Sequence, residues 1–177
     1  MDEGDRSMEL AYILCAVYLA AACITDVRSM KIPNFLTIPA MLIGVIYHGA
    51  TSGLEGLVYS VKGMAGGFIV VLIMYFIGAV GAGDVKLFGG IGAWCGLLFT
   101  LQAVVYSVLF AGFIGLLILL WRRETFKRLR RMVGNVAGVF IFRSLTPWSN
   151  SKEAYLRFPF MIAVMPGVIF TYMNYHL

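Results

Sequence analysis

The chain has 177 residues, of which 60% are hydrophobic and only 13% are charged, with a net charge of +5. Soluble domains carry about twice that charged fraction, so the composition excludes an ordinary soluble domain and predicts an integral membrane protein. The apolar runs are continuous rather than alternating, and lipid-facing backbone must be hydrogen-bonded internally. We therefore expect one domain, residues 1–177, built from membrane-spanning helices rather than a barrel.

Six apolar segments predict an all-α bundle of six transmembrane helices. Their approximate ranges are 8–25, 35–49, 58–80, 85–100, 101–121 and 158–175. No charge separates the fourth segment from the fifth, so the alternative is one long bent helix there, with five spans in all. Glycines are abundant in the third and fourth segments, where we expect them to let helix backbones pack closely.

The basic residues predict the orientation of these helices, because cytoplasmic loops are enriched in Lys and Arg. If the N-terminus lies outside, only Arg6 and Lys62 of the fourteen Lys and Arg residues fall outside, and the other twelve fall on the cytoplasmic side. A five-span topology would place the basic segment after Trp121 outside. The charges therefore favour six spans, with Asp26 and Asp84 at the cytoplasmic ends of helices.

A basic segment at about residues 122–157 is not expected to span the membrane. Between residues 125 and 145, apolar side chains recur at three- and four-residue spacing among Lys and Arg. This pattern predicts an amphipathic helix on the anionic cytoplasmic leaflet, and the alternative is a basic loop that only sets topology. Nucleic-acid binding is not expected, because the cluster lies beside the membrane among apolar residues.

The remaining residues that carry chemistry exclude several enzyme classes. Cys15, Cys23 and Cys95 lie in apolar runs without a C-x-x-C motif, so we interpret them as packing residues rather than a disulfide or a metal site. His48 and His176 are isolated, and the absence of H-E-x-x-H makes a zinc peptidase unexpected. No G-x-S-x-G motif is present. We therefore expect no metal and no cofactor.

Two aspartates are the acidic residues expected near membrane depth, where a carboxylate usually has a function. Asp84 closes the run Gly81-Ala82-Gly83-Asp84, and Asp26 follows the first apolar segment. Either one alone has a structural interpretation: a helix cap for Asp84, and a turn or a pair with Arg28 for Asp26. If the first and fourth helices pack together, the two carboxylates can meet, share one proton and activate water for peptide hydrolysis.

Two other functions remain open for the same aspartates. The first is a small proton-coupled transporter or channel, because intramembrane carboxylates are common proton relays. Both aspartates map to one leaflet, however, and neither a further acidic residue nor an inverted repeat continues the path. The second is a non-catalytic scaffold with the aspartates as caps, although a cap does not require the flanking glycines.

The chain resembles the type IV prepilin peptidases in three places. The run Gly81-Ala82-Gly83-Asp84-Val85-Lys86-Leu87 resembles the GxGD motif of that family, and Asp26 followed by Lys31-Ile32-Pro33-Asn34 resembles the region of its first catalytic aspartate. The stretch from Phe158 to Gly167 is similar to the start of its last helix. The resemblance implies a membrane aspartic endopeptidase. It would remove short basic leaders from prepilins, pseudopilins or preflagellins at the cytoplasmic face of a prokaryotic inner membrane.

The resemblance also implies roles for individual residues. Asp26 and Asp84 would be the catalytic pair, Gly81 and Gly83 would shape the active-site loop, and Pro33 with Asn34 would position the loop bearing Asp26. Lys86 either favours ionisation of a nearby carboxylate or is a cation that sets topology and extends to the interface.

One departure from the family concerns methylation. Many bacterial members carry an N-terminal cytoplasmic insertion with paired C-x-x-C motifs and methylate the new N-terminus, and this sequence has no such insertion. We therefore expect cleavage without methylation. The compact form resembles the peptidases of Flp-type (tight-adherence) pili and the archaeal preflagellin peptidases, which the sequence does not separate. It gives no indication of the oligomeric state.

Overall fold

The computed structural model describes residues 3–29, 32–121 and 160–176, and they form four helices. These are α1 (Glu3–Ser29), α2 (Asn34–Phe76), α3 (Ala82–Trp121) and α4 (Met161–His176). Two compact units are present, Met1–Ala111 with Pro159–Leu177, and Gly112–Phe158. The helix packing described below belongs to the first unit, and the described part of the second is the end of α3. The predicted basic segment at about residues 122–157 lies outside the described residues.

Three of the helices are long and apolar enough to cross a membrane: α1 over Arg6–Ser29, α2 over Asn34–Phe76, and α3 over Ala82–Leu117. The fourth, α4, has 16 residues and is a shorter apolar helix. The all-α fold is confirmed, and the three long helices are those of an integral membrane protein. The count of six spans stays a prediction.

The end of α1 differs from the prediction. The helix continues past residue 25 to Ser29, so Asp26 lies within a helix and does not begin a turn. Neither glycine nor proline interrupts the chain between Asp26 and Ser29. The next helix begins after Pro33, whose extended backbone (φ −73°, ψ 142°) is the conformation that proline favours before a helix. The Pro33 carbonyl accepts a hydrogen bond from the N–H of Leu36 at 3.1 Å.

A break at Gly53 divides α2. A straight helix of its 43 residues would be about 65 Å long, whereas the apolar core of a bilayer is about 30 Å thick. Gly53 has non-helical angles (φ 61°, ψ −138°), and Gly56 lies against the backbone carbonyl of His48. Residues eight positions apart in a straight helix are separated by about 12 Å. The chain therefore folds back at Gly53.

A second break, at Gly96, divides α3 (φ 77°, ψ 179°). Phe88 and Thr100 both contact Gly67 of α2, although twelve positions along a straight helix would separate them by about 18 Å. The sequence predicted a boundary between residues 100 and 101, and the break lies four residues earlier. The break lies at Gly96 because its positive φ favours glycine and because a side chain at position 96 would overlap the ring of Tyr59.

The break at Gly96 exposes backbone carbonyls that side chains of α2 bind. A helix end leaves carbonyls without intrahelical donors, and an unsatisfied one in an apolar interior costs several kcal/mol. Three successive carbonyls before Gly96 accept hydrogen bonds: Ala93 from the Ser60 hydroxyl (2.6 Å), Trp94 from His48 Nε2 (2.9 Å) and Cys95 from the Tyr59 hydroxyl (2.8 Å). His48, isolated in the sequence, therefore has a structural role.

Close backbone contacts join α2 to α3, as the glycine content predicted. Gly63 and Gly92 lie so near each other that a Cβ on either would overlap the other's backbone. Phe88 and Ile91 of α3 are fully buried in a core that also includes Tyr18 of α1 and Val164 of α4. This packing fixes the N-terminal part of α3, where Asp84 lies.

Replacing Gly96 by alanine tests the break directly. Gly96→Ala should combine backbone strain of about 1–2 kcal/mol with the overlap on Tyr59. Gly78→Ala has the strain alone, because Gly78 has φ 81° and nothing within 4 Å of its missing Cβ. Gly112→Ala has neither and should gain about 0.5–1 kcal/mol from higher helix propensity. Thermal unfolding in detergent should rank the three midpoints in the order Gly112→Ala, Gly78→Ala, Gly96→Ala, from highest to lowest. Equal midpoints for Gly96→Ala and Gly112→Ala would contradict the break.

Candidate active site

Asp84 lies in the first turn of α3 and binds the residue just before that helix. The N–H of Gly81 donates to Asp84 Oδ2 at 2.9 Å, and the N–H of Asp84 donates to the Gly81 carbonyl at 3.1 Å. The carboxylate thus occupies the acidic position of a capping box, where the helix dipole favours negative charge. Asp84 is only 7% exposed. Asp84 is therefore a helix cap, and the cap uses one of its two carboxylate oxygens.

Asp26 contacts the N-terminus of a different helix. Its Oδ2 atom accepts the N–H of Met161, the first residue of α4, at 3.4 Å, and the side chain is 8% exposed. Asp26 therefore binds neither a turn of its own nor Arg28, and it lies where the dipole of α4 favours an anion. Sequence reasoning missed this contact. The signal was the resemblance of the stretch from Phe158 to Gly167 to the start of a last helix.

The structure brings Asp26 and Asp84 to the same end of the interface between α1 and the first half of α3, and both side chains are almost completely buried. The approach follows from the packing of α1 on the first half of α3. The Tyr18 hydroxyl lies 3.5 Å from the Leu87 carbonyl, and its ring fills the space beside Gly90. Asp26 follows Tyr18 by two helical turns, and Asp84 precedes Leu87 by nearly one, so the antiparallel helices carry both aspartates to the same end.

The two sequence motifs also meet in space. Gly83 packs against Ile32, where a Cβ on the glycine would lie 3.4 Å from the Ile32 Cβ. One turn further along, Lys86 Nζ donates to Asn34 Oδ1 at 2.7 Å. Lys86 therefore binds the amide that begins α2, a role that neither sequence interpretation of this lysine included. These contacts join the start of α3 to the start of α2.

The residues expected to support the site lie as follows. The glycine of this turn with positive φ is Gly78 (φ 81°), and neither Gly81 nor Gly83 has this conformation. At Gly81 the constraint is space, because a Cβ would lie 3.3 Å from Asp84 Oδ2. Pro33 begins α2 and does not position a loop bearing Asp26, which lies on α1. Lys31 lies outside the described residues.

The reactive groups of this site are two buried carboxylates that accept hydrogen bonds from backbone N–H donors. Within residues 3–29, 32–121 and 160–176, no three His, Cys, Asp or Glu side chains gather as a metal site would require. In the same ranges, the hydrogen bonds to Asp26 and Asp84 both reach Oδ2. Among the described residues, these bonds therefore engage one oxygen of each carboxylate, and carboxylates are groups that can act in general acid–base catalysis.

Comparisons with known proteins relate the chain to one family of peptidases. The profile of the "Type IV leader peptidase family" matches residues 13–120. The chain is 30% identical over 122 residues to a prepilin leader peptidase/N-methyltransferase of Dickeya chrysanthemi, covering 64% of this chain and 41% of that protein. It is similar to proteins of the same name in Escherichia coli K12 (30% over 93 residues, 49% and 41%) and Aeromonas hydrophila (28% over 122 residues, 65% and 42%). The chain thus spans about two fifths of the length of these curated relatives. No solved structure is significantly similar.

The cap formed by Asp84 can be separated from its charge by substitution. Asp84→Ala removes the acceptor of the Gly81 N–H and should lower the free energy of unfolding by about 0.5–2 kcal/mol. Asp84→Asn retains an amide oxygen at the same position and should keep most of that stability. Denaturant unfolding of the two variants in detergent measures the difference. If the alanine variant is as stable as the wild type, the capping bond contributes nothing.

The bond between Lys86 and Asn34 can be measured with a double-mutant cycle. Lys86→Met and Asn34→Ala should each destabilise the protein modestly, and the double variant should lose less than their sum, with a coupling of about 0.5–1.5 kcal/mol. Lys62→Met serves as the control partner for Asn34→Ala, because Lys62 is an exposed lysine elsewhere on α2. Strictly additive effects of Lys86→Met and Asn34→Ala would contradict the contact.

Proposed function

Because the chain belongs to the type IV leader peptidase family, we propose that it is an aspartic endopeptidase that removes the leader of prepilin-like proteins, with Asp26 and Asp84 as the catalytic pair. The observation that supports the proposal is the placement of these two carboxylates, which come from α1 and α3 and are almost completely buried at the same end of the packed helices. A cap or a turn would explain either residue alone but not the burial of both at one end of the interface. Because the family consists of peptidases, the reaction that we assign to the two aspartates is hydrolysis of a peptide bond.

The mechanism follows from two carboxylates that share one proton, because two adjacent negative charges are costly. The ionised carboxylate takes a proton from a water molecule, whose oxygen attacks the scissile peptide carbonyl. The neutral carboxyl donates its proton to the carbonyl oxygen, which forms a tetrahedral gem-diol. The C–N bond then breaks as the nitrogen receives the proton that the first carboxylate took, and the gem-diol returns a hydroxyl proton to the pair.

The backbone contacts of Asp26 and Asp84 orient the pair for this chemistry. Each Oδ2 atom is held by an N–H at the start of a helix, from Gly81 and from Met161. Each Oδ1 atom is then directed to the water and the substrate. Lys86 with Asn34, and Gly83 with Ile32, act as positioning residues, because they hold the start of α3 that carries Asp84. Gly81 keeps space free for the Asp84 carboxylate.

We propose that the chain crosses a prokaryotic cytoplasmic membrane six times, with the N-terminus outside. The breaks at Gly53 and Gly96 support this topology, because each divides a long helix into two segments that fold back on each other. The spans are then α1, the two segments of α2, the two segments of α3, and α4. The distribution of Lys and Arg favours the same orientation. Both aspartates would face the cytoplasm.

The substrate class is inferred from the curated relatives, which are named for prepilin leader cleavage. Prepilins, pseudopilins and preflagellins remain alternatives within that class. Cleavage without methylation remains a prediction, as does the contact of residues 122–157 with anionic lipid. Asp26 lies near the C-terminus of α1 and Asp84 near the N-terminus of α3, so both aspartates lie at one end of this antiparallel pair of helices. The structure therefore gives no support to a transporter function.

Leader removal by the reconstituted protein tests the proposal. Asp26→Asn and Asp84→Asn should each lower the cleavage rate of a prepilin by about 10²–10⁴-fold, because each removes one member of the acid–base pair. Glu55→Gln, which neutralises an exposed carboxylate of α2, is the matched control and should cleave normally. The readout is the mobility shift of the substrate in liposomes with and without a chelator. Full cleavage by either aspartate variant, or loss of cleavage on chelation, would overturn the mechanism.

A further inference from the structure

Two cysteines face each other across the interface between α1 and α3. We propose that Cys15 and Cys95 are a redox-modification site, a thiol pair that a membrane-permeant two-electron oxidant such as a quinone or a diazene converts to a disulfide. Both residues are free thiols and buried in the core. No sequence pattern pairs the two cysteines, because they are 80 positions apart and belong to no motif.

The packing of the two helices brings these thiols to the same part of their interface. Cys15 lies nearly one turn before Tyr18, and Tyr18 contacts Leu87 and Gly90 of α3. Since α1 and the first half of α3 run antiparallel, residues before Tyr18 lie beside residues after Gly90. Both side chains belong to one buried core cluster and line the same cavity. A disulfide requires cysteines on directly facing positions, and the proposal is that this register provides such a pair.

An apolar cavity of about 260 Å³ gives small molecules access to the thiols. Both cysteines line it, together with Tyr12, Phe99 and Val168 and other apolar residues of α1, α3 and α4. The pair lies about 16 Å along the helices from the aspartates, which places it within the bilayer. Apolar oxidants partition into this region, whereas water-soluble thiol reductants do not. The location therefore favours the oxidised form once it has been made.

The reaction balances without a metal. The two S–H groups lose two protons and two electrons, one S–S bond forms, and the oxidant takes up both electrons and both protons to become a hydroquinone or a hydrazine. Polar reagents are excluded from the thiols, because both side chains are buried in the apolar core. Oxidation therefore selects small, permeant reagents.

The disulfide would link the two helices that carry the aspartates. Cys15 precedes Asp26 by eleven residues, and Cys95 follows Asp84 by eleven, so the thiols and the carboxylates lie at two ends of one antiparallel interface. A covalent bond at the first end fixes the register that brings the carboxylates together at the second. The oxidised protein should therefore keep its peptidase activity, a consequence that rests on the proposed function.

Mass spectrometry of the full chain in liposomes tests the site. After treatment with diamide, the wild type and Cys23→Ser should lose the mass of two hydrogen atoms and yield a peptide pair joined through Cys15 and Cys95. Cys15→Ser and Cys95→Ser should yield no such pair. Cys23 is the control, because it is a half-buried thiol on the same helix. An absent Cys15–Cys95 link, or one formed equally through Cys23, would overturn the proposal.

A second readout compares leader cleavage before and after oxidation. Oxidised wild type should retain cleavage within about twofold of the reduced protein, since the link preserves the register of α1 and α3. If oxidation lowered the cleavage rate and a permeant reductant restored it, this result would contradict the shared register. If the reduced protein does not cleave prepilin at all, the proposed function fails, whereas the cross-link is judged by mass alone.

Discussion

The requirement that every backbone polar group find a partner in an apolar environment governs this fold. The helices are interrupted at Gly53 and Gly96, and two of them begin near carboxylates. The carbonyls before Gly96 are bound by three side chains of α2, and the first N–H groups of α3 and α4 are bound by carboxylates. Interruptions that would be costly in lipid are thereby stabilised by a small number of polar side chains.

The same requirement explains the structural role of Asp26 and Asp84. A carboxylate at a helix N-terminus is held by backbone donors and by the helix dipole, which lowers the cost of burying it. Both aspartates use Oδ2 for this structural contact. The interpretation of Asp84 as a cap is therefore compatible with its proposed catalytic role. Under the proposed function, a structural bond on one oxygen would orient the other for chemistry.

Sequence reasoning predicted the helical class, the two aspartates and the motifs that surround them, because composition and short motifs report local chemistry. It placed the break of α3 four residues late, since Gly96 is one of several glycines and only tertiary contact with Tyr59 distinguishes it. It also missed the bonds of Asp26 to Met161, of Lys86 to Asn34 and of His48 to Trp94. Each joins residues at least 46 positions apart, and no local pattern encodes them.

The central claim is that Asp26 and Asp84 form one coupled pair. Carbon-13 NMR of aspartate-labelled protein measures this directly, because the chain contains only four aspartates, Asp2, Asp5, Asp26 and Asp84. The account predicts that Asp26→Asn changes the pH midpoint at which the Asp84 carboxyl signal titrates, while Glu55→Gln leaves it unchanged. An Asp84 titration identical in the wild type and in Asp26→Asn would show that the two carboxyls do not interact and would contradict the account.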